Sequence, residues 1–227
     1  MNQPNTDRTK AYLSWSSGKD SAYALFEARR LGLADIVGLI TTTNEAFDRV
    51  AMHGTRNALL DRQIAATGLP CLKVPLPWPC SNDEYESRMA KAMDEIAAQG
   101  VRHMVFGDLY LEDIRAYRNE KLAAIGMQAI YPLWGRETGA LARSMIADGL
   151  VAHLVTVDPR KLDKSFAGRR FDASLLADLP ADVDPCGENG EFHTAVVAGP
   201  MFDTAIDVRL GEVVERDGFV YADVIPA

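Results

Sequence analysis

Six consecutive residues, Ser16-Ser17-Gly18-Lys19-Asp20-Ser21, stand between a largely apolar run, Tyr12 to Trp15, and a stretch with helical spacing of Ala22, Leu25, Phe26 and Leu33. They join three hydroxyls, a glycine, a cation and a carboxylate at the point where a strand gives way to a helix. A helix start leaves backbone N–H groups unpaired and carries roughly half a positive charge. An anion, phosphate above all, fits such a place. Ser16, Ser17 and Gly18 are small enough to let the backbone approach a polyphosphate, while Lys19 adds charge and Ser21 a hydroxyl. The spacing is not that of a Walker loop, which needs four residues between its first Gly and Gly-Lys-Ser/Thr. The plain structural alternative is a strand-turn-helix whose Ser and Asp only cap the helix.

A second concentration of polar chemistry lies far along the chain. Gly187-Glu188-Asn189-Gly190-Glu191-Phe192-His193-Thr194 packs two carboxylates, an amide, an imidazole and a hydroxyl directly before the apolar run Ala195-Val196-Val197-Ala198. Polar groups so dense at a strand start are costly to bury unless they bind something. Glu-Asn-Gly by itself reads as a turn, but a turn uses neither Glu191 nor His193. A third candidate is Gly107-Asp108, at the end of the short apolar run His103 to Phe106. In an open α/β sheet ligands gather beyond the carboxyl ends of strands, so Asp108 is placed to reach the cleft of the first loop; capping the helix that opens at Glu112 is its other reading.

The elements that must hold these groups alternate. Strands are expected over 11–15, 35–42, 71–77, 103–106, 129–134 and 152–157, and helices from the first loop to about Leu31, then over 56–66, 81–100, 112–126 and 137–148. Ser81 to Glu84 has capping-box spacing, and Gly32, Gly68, Gly100, Gly126 and Gly149 follow helical stretches as stops. Residues 44–53 have no period and read as loop. Alternation this regular predicts a doubly wound, mostly parallel α/β sheet. Beyond Pro159 the texture changes to basic residues near Phe166 and Phe171, an acidic stretch, and β-like segments flanking Asp217-Gly218, a hairpin signal. The expected division is 1–158, an α/β nucleotide domain, and 159–227, a smaller α+β domain that closes over it.

The 227 residues carry 24 basic and 32 acidic side chains, a formal charge of −8, which disfavours nonspecific nucleic-acid binding and favours small substrates. Lys161, Lys164, Arg169 and Arg170 near aromatics are explained more simply as a solvated loop face. Three unpaired cysteines support neither a disulfide framework nor a zinc ribbon, and four scattered histidines do not read as a metal cluster. No apolar run is long enough to span a membrane and the polar first ten residues lack a signal core, so the expected location is the cytoplasm.

The first loop resembles the pyrophosphate loop, Ser-Gly-Gly-x-Asp-Ser, of the ATP pyrophosphatases, with Ser17 standing where that pattern has Gly. Taken with Met52-His53, Gly107-Asp108, Pro132-Leu133-Trp134 and Gly187 to Thr194, nearly the whole chain resembles the diphthine-ammonia ligase family and its bacterial relatives. The resemblance implies a HUP-type, Rossmann-like domain with five parallel strands and a smaller C-terminal substrate domain, with ATP and Mg²⁺ as cofactors. It implies adenylation of a small-molecule or protein-borne carboxylate, followed by displacement of AMP by ammonia. On this reading Ser16, Ser17, Gly18, Lys19, Asp20, Ser21, Gly107 and Asp108 bind the nucleotide, Asp20 and Asp108 being the metal ligands. Glu188, Asn189, Gly190, Glu191, His193 and Thr194 hold the acceptor. Lys19, Asp20, Glu191 and His193 are the catalytic candidates, with Glu191 or His193 as base. A homodimer is compatible with the chain. Rival readings are a nucleotide sensor that releases no pyrophosphate and a tRNA-modifying enzyme, the latter opposed by the acidic balance and the lone cysteines.

Overall fold

The computed structural model describes residues 9–51 and 54–227; the polar first eight residues and Met52-His53, part of the resemblance, lie outside the described residues. The first sheet is built from β1 (Lys10–Ser14), β2 (Asp35–Asn44), β4 (Cys71–Leu76), β5 (His103–Val105) and β6 (Gln128–Ile130), all parallel in the spatial order β4-β2-β1-β5-β6. The register sets Leu13 beside Leu39 and Val105. A two-residue strand, β3 (Arg49–Val50), runs antiparallel to the end of β2. It falls where the sequence reading expects only loop, because two residues are too few to show a period.

Central β1 is buried on both faces. Leu13 and Trp15 point into a core shared with α1 (Lys19–Arg30) and α5 (Thr138–Ala147), while Tyr12 joins the opposite core under α3 (Asn82–Ala98) and α4 (Glu112–Ala123). This two-sided burial is why the run reads as continuously apolar. Ser81 caps α3 by accepting from the Glu84 amide at 3.2 Å, as its spacing predicts, and Gly68 ends α2 (Asn57–Thr67) in the left-handed region at φ 68°.

The second sheet is antiparallel, in the order β8-β7-β10-β9, from β7 (Val151–Val157), β8 (Phe192–Ala198), β9 (Val208–Arg216) and β10 (Phe219–Pro226). Asp217 and Gly218, both at positive φ, close the expected hairpin. One expectation is corrected here: β7 does not extend the parallel sheet as a sixth strand but pairs antiparallel with β8 and β10. A buried strand shows the same apolar run in either sheet, so periodicity cannot assign it.

Between β7 and β8 lie a 3-10 turn (Lys164–Phe166) and the short α6 (Ala173–Asp178). Phe166 and Phe171 sit in the core, and Arg169 pairs with Asp178 at 2.6 Å, so this basic, aromatic segment turns its rings inward. Among the described residues no helix is long and apolar enough to cross a membrane.

Candidate functional site at the meeting of the two sheets

The loop from β1 to α1 is folded on its own hydroxyls. Ser21 Oγ receives the Ser16 amide at 3.2 Å and donates to the Gly18 carbonyl at 3.0 Å, and the Gly18 amide reaches Ser16 Oγ at 3.3 Å. Ser17, where the pyrophosphate-loop pattern has Gly, sits at φ 74°, the conformation glycine adopts without cost. Gly18 occupies the N-cap position and offers no side chain, so the first turn of α1 is left to other partners. One comes from the far end of the chain: Thr194 Oγ1 accepts the Lys19 amide at 3.0 Å. The amides of Ser17, Asp20 and Ser21 have no protein acceptor among the described residues.

The second sheet is stitched to this loop at further points. The Val196 amide donates to the Ser17 carbonyl at 3.0 Å. Gln63, wholly buried on α2, donates to the Ser17 and Val196 carbonyls at 3.1 and 2.7 Å and accepts from the Trp15 indole at 3.2 Å. The 184–191 segment folds round the Asp184 carboxylate, which takes the Cys186 and Glu188 amides at 2.8 and 3.2 Å and the Thr138 hydroxyl at 2.7 Å. From that frame Glu188 Oε1 accepts the Leu109 amide at 3.2 Å, and Asn189 Oδ1 accepts the Tyr110 hydroxyl at 3.1 Å. The Gly107-Asp108 turn and the Glu188-Asn189 turn therefore face each other across the start of α1. Gly107 lies so close that a Cβ there would fall 2.7 Å from the Asp20 carbonyl carbon.

Beside the loop opens a cavity of about 530 Å³ at the carboxyl ends of β1, β2 and β5. Ser16, Thr41 and His193 line its polar end, and Met89, Met93, Met104 and Phe106 its apolar walls, with Arg118 and Lys121 on α4. This is where an open α/β sheet takes its ligand.

The described sequence matches two halves of one family. Residues 9–129 match the diphthamide synthase N-terminal domain and residues 137–222 the diphthamide synthase C-terminal domain. The chain belongs to the diphthamide synthase family. It is 25% identical over 234 residues to the diphthine-ammonia ligase of Danio rerio, covering 92% of this chain and 90% of that protein. It is 24% identical over 236 residues to the diphthine-ammonia ligase of Homo sapiens, covering 92% and 86%. Against the ligase of Schizosaccharomyces pombe it is 30% identical over 96 residues, 40% of this chain and only 16% of that longer protein.

Within this diphthamide synthase fold the sequence-derived candidates occupy distinct stations. Ser16 and His193 line the cavity. Lys19 does not: its ammonium is buried, donates to both Asp20 oxygens at 3.0 and 2.8 Å and to the Cys186 carbonyl, and lies 5.6 and 5.5 Å from the Phe171 and Phe192 ring centres. Burial alone would lower its pKa, but Asp20 and its other acidic neighbours hold it above the ordinary lysine value. Glu191 is closed in, Oε1 accepting the Asp184 amide at 3.1 Å and the Asn189 amide group at 3.2 Å, while Oε2 has no hydrogen-bond partner among the described residues. Gly190 turns the chain at φ 79° beside the exposed Asn189.

Glu188 is the unusual acid. Burial first, then the nearby Asp20 charge, pushes its carboxyl up to about 7. Burial lowers the His193 pKa, with Lys19 adding to the effect, so the imidazole is neutral at pH 7. The Cys186 thiol, raised to about 12 by burial, is inert.

The residues fit ATP. Two buried hydroxyls without partners among the described residues, Thr41 Oγ1 in the cavity and Ser17 Oγ in the loop, stand ready for polar groups of a ligand. Both expected Mg²⁺ ligands are engaged with cations. Asp20 already faces Lys19, and Asp108 faces Arg118 with Oδ1–Nη2 and Oδ2–Nε separations of 3.3 and 2.9 Å, the second off the N–H line and so an ion pair rather than a hydrogen bond. Among the described residues no three acidic, histidine or cysteine side chains gather as a metal cluster.

Sequence reading misses Gln63, Asp184, Thr41 and Arg118. Gln63 carries a usable signal, being polar within the apolar stripe Leu59, Leu60 and Ile64 of α2. The other three look like ordinary loop, strand and helix-surface residues until the fold brings their partners to them.

Proposed function

We propose that this chain is an ATP-dependent amide ligase of the diphthine-ammonia ligase type. It joins a carboxylate to the α-phosphate of ATP and then exchanges AMP for ammonia. The observation that carries the reading is the bond from the Lys19 amide to Thr194 Oγ1, which joins the anion loop to the Glu/Asn/His run at the edge of one cavity.

The cavity would take the base of ATP beside Ile40, Thr41 and Met104, with the phosphates toward Ser16 and the start of α1. In the first step an acceptor carboxylate oxygen bonds to the α-phosphorus, the bond to the bridging oxygen breaks, and pyrophosphate leaves with the electron pair. The unpaired amides of Ser17, Asp20 and Ser21 meet the charge that builds there. Any Mg²⁺ that accompanied the nucleotide would add charge neutralisation to that of these amides. In the second step the ammonia nitrogen bonds to the acyl carbon, AMP leaves, and a proton passes from nitrogen to a base. Glu188 suits that task, with a pKa near neutrality and a position across from Asp20. Neutral His193 orients the acceptor, and buried Glu191 supports the turn that carries Glu188 and Asn189.

The acceptor is a small or protein-borne carboxylic acid. Incubating the protein with ATP, Mg²⁺, ammonium and a panel of such acids should release AMP and pyrophosphate in equal amounts, with an amide product. Tight ATP binding without pyrophosphate under every acid would leave the sensor reading in its place.

A further inference from the structure

Charge building on the departing pyrophosphate favours a positive side chain beside the loop amides, and Lys19 is badly placed to provide it. Its ammonium is enclosed between two aromatic rings, Asp20 and the Cys186 carbonyl, away from the cavity lining. Of the cavity's own cations, Lys121 is spanned to Glu86 at 2.8 Å on the exposed rim, and His193 is neutral. Arg118 is different. Its guanidinium lies 4.3 Å from the centre of the Phe106 ring, on the cavity wall, and Asp108 accepts one hydrogen bond from Nη2 and pairs in charge with Nε. Among the described residues Nη1 has no acceptor.

Stacking on an aromatic face, one carboxylate hydrogen bond and a close ion pair orient a guanidinium, and a planar fork so oriented is suited to phosphate oxygens. The carboxylate that holds it follows Gly107, whose backbone lies against Asp20 and Ser21 at the start of α1. Phe106, Asp108 and Arg118 therefore form one bracket from β5 to α4 that opens beside the anion loop. We infer that Arg118 is the side chain that contacts the polyphosphate of ATP in this cavity, and that Asp108 is a positioning residue for it rather than a metal ligand. The inference rests on the nucleotide reading above and adds a residue to it. It also gives Lys19 a different part, tying the first turn of α1 to the 186–188 turn.

Titration calorimetry of the full chain with adenosine and with ATP, each in Mg²⁺ and in EDTA, separates the possibilities. Arg118→Ala should weaken ATP by about tenfold or more, the cost of one charged hydrogen-bond pair, while leaving adenosine within about twofold. Arg118→Lys should retain more ATP affinity than Arg118→Gln, a contrast that still decides the matter if the alanine variant folds poorly. Asp108→Asn should weaken ATP severalfold in Mg²⁺ and in EDTA alike. Unchanged ATP affinity in Arg118→Ala and Arg118→Gln would overturn the role of Arg118 and leave the nucleotide reading standing. A loss in Asp108→Asn confined to Mg²⁺ buffer would return Asp108 to the metal. Wild-type protein that binds neither adenosine nor ATP would remove the nucleotide reading and this inference with it.

Discussion

At the scale of single residues, Ser17 and Glu188 each hold a conformation or charge state that the rest of the molecule imposes. Ser17 accepts the left-handed region so that its carbonyl can meet Gln63 and Val196, and its hydroxyl is buried without a partner. Ser17→Gly relieves both costs, and we expect it to raise unfolding free energy in urea by about 1 kcal/mol. Glu188 gives a pH signature. Its folded pKa of about 7 lies above the ordinary value of 4.5, so the folded protein keeps a proton that the unfolded chain has released between those limits. Stability from this group is therefore present at low pH and falls as pH rises through 4.5 to 7. Glu188→Gln should remove that slope and make the protein more stable at pH 8 by about 1–2 kcal/mol after allowance for solvent screening. If Glu188 is the base, the pH-rate profile of amide formation should rise through about 7 in the parent and lose that limb in the same variant.

Among the elements, α2 is tied to both sheets through one side chain. Gln63 donates two hydrogen bonds and accepts a third, joining the end of β1, the loop that follows it and β8, all of them buried. Gln63→Leu keeps the volume but strands the Trp15 indole and weakens the hold on two carbonyls. The expected loss is about 2–4 kcal/mol of unfolding free energy, measured by urea denaturation, with weaker ATP binding because the loop is no longer pinned. An effect below about 0.5 kcal/mol would mean that water replaces the amide without cost. The strand β3 and the sheet membership of β7 belong to the same scale. Neither was legible, since a two-residue strand has no period and a buried apolar strand looks alike in both sheets. The helix stops and the hairpin were legible, because Gly68 and Asp217-Gly218 mark their own backbone conformation.

At the scale of the whole molecule the site exists only because the sheets touch, the Thr194 hydroxyl reaching the Lys19 amide 175 residues earlier in the chain. Ligand in that seam should stabilise both sheets together: ATP at a hundred times its Kd is expected to add about 2.7 kcal/mol to a single cooperative transition. Thermal unfolding that resolves into two steps, only one of them moved by ATP, would show the sheets to be independent. The sequence by itself determined the strand-loop-helix at residues 12–30, the helix boundaries, the closing hairpin and the parallel core, since backbone tolerance and periodicity are written within a few residues of where they act. Only the tertiary structure decided that β7 joins the second sheet, that Lys19 is enclosed, and that Arg118 and Asp108 are paired on the cavity wall. Those outcomes depend on which surfaces pack together and which charges are thereby stripped of water, and no local spacing carries that information.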